Sequence, residues 1–287
     1  MVVEVALKTI QIVTFNDEEH AAVQEFMDEL AEPHSVWRRK GEDRLIAPDI
    51  CVLWHTRTPA QGNVMAGAHL VMEFERTSPP DFLVFYGCAG AADRSPLRSG
   101  YLVEAVLYLS LGVVRPHSGG EEVKLENRWL DWHDPEDVTP ITPVSFRLSS
   151  NGARGDLVRL TGIPAAHVAS TDKKIQVRPE PPPEPLEQSF GRRVYRQEAW
   201  SYGTALGYAT DVAATNPLLV DMESFGIGKA AEAMNLQDRV IILRVVSDLL
   251  IDRGKTDKEV ILSDGIAYLA RVVLALADPD HPLNGAS

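Results

Sequence analysis

Three runs in this chain, TIQIVTF (9–15), DFLVFYG (81–87) and VIILRVVSD (240–248), are mostly apolar, and the last two hold their apolar residues at consecutive rather than alternate positions. A strand with one wet face alternates apolar and polar residues, so a run without alternation has to be covered on both sides. Helical patterns separate these runs. DEEHAAVQEFMDELAE follows the first, and KEVILSDGIAYLARVVLAL follows the last. ICVLWHT (50–56) and AGAHLVMEFERT (66–77) read as further strands or strand–helix pieces, and DFLVFYG as a strand entering a Gly/Ala turn. Buried strands alternating with helices predict an α/β protein with a mostly parallel sheet and helices on both faces.

A chain of 287 residues, 45% hydrophobic, can bury one large α/β core. We expect a single domain over 1–277, interrupted by RPEPPPEPLEQ (178–188). Proline there removes donors and fixes φ, so the stretch reads as an exposed polyproline-like loop, with a domain linker as the alternative. The last ten residues, 278–287, read as a mobile tail. There is no internal repeat. Lys plus Arg number 28 and Asp plus Glu 41, so 28 − 41 gives a net charge of −13. Such a surface repels DNA or RNA but leaves room for one small nucleotide. Two cysteines make no disulfide framework. The start, MVVEVALKTIQIV, lacks a signal-peptide pattern, and runs such as VIILRVV are too short to span a bilayer. A soluble, cytoplasmic protein is expected, without metal or cofactor: the histidines are scattered, and GCAGAAD is not a dinucleotide-binding G-x-G-x-x-G.

Polar residues beyond the carboxyl ends of strands carry meaning in open α/β sheets, because ligands bind there. Four stretches qualify. Asn16-Asp17-Glu18-Glu19-His20 follows the first run, Gly87-Cys88-Ala89-Gly90-Ala91 the second, and Ser247-Asp248 closes the third. The fourth is LLVDMESFGIGKAAEAM (218–234), where Asp221 and Glu223 stand at the start of a helical pattern. Each has a plain structural explanation as a helix-start acid, a tight turn or an N-cap. Cys88 has no histidine near it in sequence, so nucleophilic catalysis by its thiol is not expected.

VDMES followed by LRVVSD, together with FYGCAGAADRSPLRSG and TIQIVTFNDEEHAAV, resembles the purine nucleoside phosphorylase and nucleosidase superfamily. The likeness is to its hydrolase branch, which includes methylthioadenosine/S-adenosylhomocysteine nucleosidase. Residues 125–163 fall outside it as a divergent insert. The resemblance implies a three-layer α/β/α domain with a central mixed, partly barrel-like sheet, assembled as a homodimer or higher homo-oligomer. It also implies roles. Glu223 would bind the ribose hydroxyls, Met222 would pack on the sugar, and Asp248, beside Ser247, would protonate the leaving purine. Glu19 would activate water. Cys88, Ala89 and Gly90 would let the backbone approach the ligand, and Ile175 would contact the base.

Cleaving an N-glycosidic bond builds positive charge on ribose and negative charge on the base, which carboxylates and a proton donor both relieve. The phosphorylases of the superfamily hold phosphate with arginines in the first loop and before the Gly-rich turn. Here those places are Asn16 to Glu19 and Phe85-Tyr86, so hydrolysis of an adenine-type nucleoside or nucleotide is expected over phosphorolysis. A non-catalytic nucleoside sensor is the other alternative. One departure bears on substrate: Lys174 stands where the nucleosidases carry a base-stacking aromatic. Arg38 to Lys40 could meet a 5′-phosphate or be plain solvated surface.

Overall fold

The computed structural model describes residues 8–31, 37–40, 44–47, 51–58, 62–91, 96–108, 128–130, 138–140, 144–145, 157–170, 218–249 and 257–277. The Pro-rich stretch 178–188, the tail 278–287, Lys174 and Ile175, and most of 125–163 lie outside the described residues. Strand β1 (Lys8–Thr14) leads into helix α1 (Asp17–Leu30). Strands β2 (Arg38–Arg39), β3 (Arg44–Ala47) and β4 (Cys51–Arg57) follow, then helix α2 (Asn63–Phe74). Long strands β5 (Phe82–Ala91) and β6 (Gly100–Tyr108) precede three short ones, β7 (Arg128–Leu130), β8 (Val138–Pro140) and β9 (Val144–Ser145). The rest comprises α3 (Leu157–Thr161), β10 (Ala165–Ser170), β11 (Leu218–Asp221), α4 (Ser224–Ala233), β12 (Val240–Leu249) and α5 (Lys258–Ala277).

Ten strands form one mixed sheet in the order β11-β10-β6-β12-β5-β1-β4-β3-β2, with β9 on β6. The pairs β1–β4, β1–β5, β5–β12, β6–β10 and β10–β11 are parallel. β12 runs antiparallel to β6, and β11 returns antiparallel onto β5 through Leu219↔Ala91 and Val220↔Gly90. That last pairing closes β5, β12, β6, β10 and β11 into a ring, the partly barrel-like sheet that was expected. The ring brings the carboxyl end of β11 against the carboxyl end of β5.

Each face of the sheet has its own core, because consecutive apolar residues point opposite ways. Val84, Tyr86, Ile241, Leu243 and Val245 pack with Val23 and Phe26 of α1 and Leu269 and Val272 of α5. Leu83, Phe85, Ile242 and Val246 face the other way, toward Leu70 of α2 and Ile227 and Ala231 of α4. Arg244 takes the step between Ile242 and Val246 on this second side.

Three expectations change. AGAHLVMEFERT is helical through Phe74 and holds no strand: α2 buries Ala66 and Leu70, four residues apart, against α4. GCAGA is no turn but the end of β5, where small residues let β12 and β11 both pair closely. Helix α5, at 20 residues, has the length and hydropathy to cross a membrane, unlike the short runs considered from sequence. Half of that apolar stretch is buried inside the protein, against α1 and the sheet.

Helices α2 and α4 cross with backbone against backbone. A Cβ added at Gly226 would lie 1.8 Å from the Asn63 carbonyl oxygen, and one at Gly67 would lie 2.8 Å from that of Gly226. Gly226→Ala therefore has to separate the helices and is expected to cost roughly 3 kcal/mol or more. Gly162→Ala meets only open space and a φ of +66°, so about 1–2 kcal/mol is expected there. Urea unfolding of both variants checks this, and equal losses would refute the account.

Candidate active site

The carboxyl ends of β1, β5, β11 and β12 converge, and Arg244 stands at their centre. Its side chain is completely buried. Nε donates to Asp221 Oδ2 at 2.8 Å, Nη2 donates to Ser224 Oγ at 3.3 Å, and Nη2 is 3.9 Å from Glu223 Oε2. Nη1 has no partner. Burial by itself would pull the guanidinium toward neutrality; Asp221, Glu223 and Glu19 outweigh it and keep Arg244 charged.

Glu19 enters from the first turn of α1. Asn16 caps that helix by accepting the Glu19 N–H at 2.8 Å, while Asp17 and Glu18 face solvent as ordinary first-turn acids. Glu19 is buried instead. Its Oε2 accepts the Phe15 N–H at 3.0 Å and its Oε1 accepts the Cys88 N–H at 3.1 Å. Burial pushes its carboxyl up, opposed by Arg244 and by those two N–H groups. Gly87 separates the pair: a Cβ there would lie 2.6 Å from Glu19 Oε1 and 2.7 Å from Arg244 Nη1. Only glycine fits here, because any side chain at 87 would run into both the acid and the free guanidinium nitrogen.

The two acids of VDMES part ways. Asp221 is the structural one, accepting the Ser224 N–H at 3.2 Å at the start of α4 and pairing with Arg244. Glu223 occupies the N-cap position yet makes no side-chain cap. Its side chain is 15% exposed, 3.5 Å from the Gly62 N–H. Burial first and Asp221 second, against Arg244, push its carboxyl up to about 7. Met222, next to it, is half-buried.

Asp248 and Ser247 sit at a bulge, where the register of β12 against β5 shifts between Val246 and Asp248 and sets Asp248 opposite Gly90. Asp248 is 2% exposed, and the Ser247 hydroxyl lies 3.1 Å from its Oδ2 and 3.5 Å from the Ala89 carbonyl oxygen. Cys88 commits its N–H to Glu19, and burial pushes its thiol up to about 12, so it is no nucleophile. Glu19, Glu223, Met222, Ser247, Asp248 and the 88–90 strand thus lie at one end of the sheet; Ile175 is outside the described residues. Among the described residues no group of three His, Cys, Asp or Glu could hold a metal.

Arg244 was missed from sequence. The signal was present: an arginine inside the central run VIILRVV must be buried, and a buried arginine needs acids. Ser170 and Asn63 were missed too, and nothing in their spacing marks them. Asn63 Oδ1 accepts the Gly226 N–H at 2.9 Å and lies 2.9 Å from Ser170 Oγ, which donates to Asp221 Oδ1 at 2.7 Å.

No protein-family model and no curated protein matches the chain. Solved structures do. Futalosine hydrolase of Helicobacter pylori is similar at TM-score 0.59 and 10% identity, over 93% of this chain and 97% of that one. The 5′-methylthioadenosine/S-adenosylhomocysteine nucleosidase of Campylobacter jejuni is similar at 0.54 and 14%, over 96% and 100%. That of Neisseria meningitidis, in complex with methylthio-immucillin-A, is similar at 0.52 and 14%, over 93% and 99%. The chain shares the fold of these nucleosidases and of futalosine hydrolase.

Beside the site, His20 stacks on His55 with ring centroids 4.6 Å apart, and Thr14 Oγ1 is 3.1 Å from His55 Nε2. Burial, then His20, pushes His55 down to about 3. Between an unfolded value of about 6.5 and about 3, the unfolded chain binds a proton that folded His55 refuses. This group's contribution to stability is therefore full above pH 6.5 and is lost as pH falls. His55→Phe should flatten the acid fall in the urea midpoint by up to about 1.4 kcal/mol per pH unit, and an unchanged slope would refute it.

Proposed function

We propose that this chain is a nucleosidase, hydrolysing the N-glycosidic bond of an adenine-type purine nucleoside or nucleotide to free base and sugar. One observation carries it: buried Glu19 and Nη1 of Arg244, which has no hydrogen-bond partner, close on the same face of Gly87 and leave no room for a side chain there. A water in the slot between the two groups is held by the guanidinium and gives its proton to Glu19 as its oxygen bonds to the anomeric carbon. Glu223, the acid with exposed surface, accepts hydrogen bonds from the ribose hydroxyls and favours the cationic sugar. The bond to the base breaks toward the base, and Asp248 supplies the proton that neutralises it. Met222 packs on the sugar, and Ala89 and Gly90 admit the base. Asp rather than Asn at 248 favours a base protonated at N7, the adenine type.

Water suits this slot better than phosphate. Arg244 is the cation there, and Asp221, Glu223 and Glu19 already offset it. A phosphate would meet three carboxylates around one guanidinium. Support for a nucleoside ligand comes from the similar folds, two of them methylthioadenosine/S-adenosylhomocysteine nucleosidases and one of these bound to an immucillin. A homodimer is proposed as well, through the outer face of α2. Val64, Met65 and Met72 are exposed there, and a cavity of about 550 Å³ carries both Glu75 and Lys229. A monomer by light scattering at micromolar concentration would refute the dimer. The deciding experiment for function is a panel of nucleosides and nucleotides with quantified free base, with and without phosphate. Cleavage that requires phosphate would make the chain a phosphorylase. Binding without cleavage would make it a sensor.

Glu223 works ionised, so kcat/KM should fall as pH drops below about 7. Glu223→Gln should lack that limb and lose about two to three orders of magnitude in rate while folding normally. Unchanged turnover would reduce Glu223 to a helix-start residue. For Asp248, the helix N-cap expected from sequence is not what the structure shows, since the residue lies at the β12 bulge; Asn keeps its size there but has no proton to give. Asp248→Asn should lose about a hundredfold or more on an ordinary purine nucleoside, and little on a substrate whose base leaves without protonation. Full activity on the purine nucleoside would remove Asp248 from the mechanism.

A further inference from the structure

Asp221 is saturated. Oδ1 accepts the Ser170 hydroxyl at 2.7 Å and the Ser224 N–H at 3.2 Å, and Oδ2 accepts Arg244 Nε at 2.8 Å and the Ser224 hydroxyl. Four donors fill the lone pairs of one carboxylate, and its side chain is 1% exposed. It has nothing left for a ligand. What it does control is the direction of Arg244: an arginine gripped at Nε, with Nη2 turned to Ser224 and Glu223, can send only Nη1 toward Gly87 and Glu19. We propose that Asp221 is the positioning residue of this site, aiming Nη1 of Arg244 at the reacting water, with Ser170 as the anchor that fixes its angle.

Ser170 suits that task because it is itself tied down. It lies at the end of β10, opposite Asp221 in the β10–β11 register. The pairing of β10 with β11 therefore fixes Ser170, Ser170 fixes Asp221, and Asp221 fixes Arg244. Asp221 has a second effect, through charge. Among the described residues, the groups acting on the Glu223 carboxyl are Asp221 on β11, Arg244 on β12, Glu19 on α1 and the Gly62 N–H before α2. Of the two acids among them, Asp221 contributes more to holding Glu223 back from ionising.

The consequence for turnover rests on the nucleosidase reading, so the test has a readout that does not. Wild type, Asp221→Asn and Ser170→Ala are labelled with carboxyl-¹³C glutamate and titrated by NMR, with Glu223→Gln identifying the Glu223 signal. Melting curves report folding, and kcat and KM are measured on a cleaved nucleoside. Asp221→Asn should lower the Glu223 midpoint by roughly one pH unit and lower kcat by about a hundredfold, with KM little changed. Ser170→Ala keeps the charge and loses only the anchor: its Glu223 midpoint should stay while kcat falls about tenfold. If both variants only melt earlier, keeping kcat and the Glu223 midpoint, Asp221 is a helix cap in an ion pair and the proposal fails. If Asp221→Asn does not fold, wild-type kcat in Ser170→Ala alone overturns it. A wild type that cleaves nothing refutes the nucleosidase reading, and an unmoved Glu223 midpoint in Asp221→Asn refutes the charge role.

Discussion

One buried guanidinium organises this end of the molecule. Moving an unpaired charge from water into a protein interior costs several kcal/mol even after relaxation, and the cost is offset only by close opposite charges with good hydrogen bonds. Arg244 lies in the middle of β12, with its side chain completely buried. The acids that keep it charged come from three separate elements: Glu19 from α1, Asp221 from β11 and Glu223 from the turn into α4. Closure of β11 onto β5 brings the second and third within reach of the strand that carries the arginine. The ring of five strands and the ion cluster therefore depend on each other. The cluster is electrically lopsided, with three acids against one base; burial raises the carboxyls of both Glu19 and Glu223 against the pull of Arg244, and for Glu223 the charges of Asp221 and Glu19 add to it.

Much of this was legible in the sequence, and the failures have physical reasons. FLVFY and VIILRVV could be read as buried strands because two-sided burial leaves no alternation, and TIQIVTF because of its β-branched and apolar content. DEEHAAVQEFMDELAE and KEVILSDGIAYLARVVLAL could be read as helices from their periodicity. AGAHLVMEFERT misled because its β-formers sit on a helix whose small residues meet another backbone, and backbone approach leaves no hydrophobic stripe to detect. GCAGA misled for a related reason. Glycine and alanine usually punctuate, but in a strand squeezed by neighbours on both edges they are what fits.

The candidate site was legible to the extent that a strand end can be recognised. Glu19, Glu223 and Asp248 are each separated from the apolar run before them by three residues or fewer, and topology brings those ends together. Arg244 lay hidden because a charged residue inside an apolar run is usually taken for the wet side of a strand. The link from Asn63 through Ser170 to Asp221 joins residues 107 and 51 positions apart. No local pattern encodes such a contact, since only the folded sheet defines it.

Charge imbalance also bears on which reaction such a site can favour. A cluster of acids that outnumbers its base is costly at rest, and burial makes it costlier. A positive charge arriving among those acids relieves the excess, and the sugar of a breaking N-glycosidic bond becomes such a charge only as the bond breaks. An anionic nucleophile would add to the excess at the moment of attack, whereas water brings no charge and can pass its proton to a carboxyl already inclined to hold one. The burial and the repulsion that raise Glu223 are therefore offset most in the state with a cationic sugar beside it. Differential stabilisation of that kind, stronger for the transition state than for the ground state, is what accelerates a chemical step.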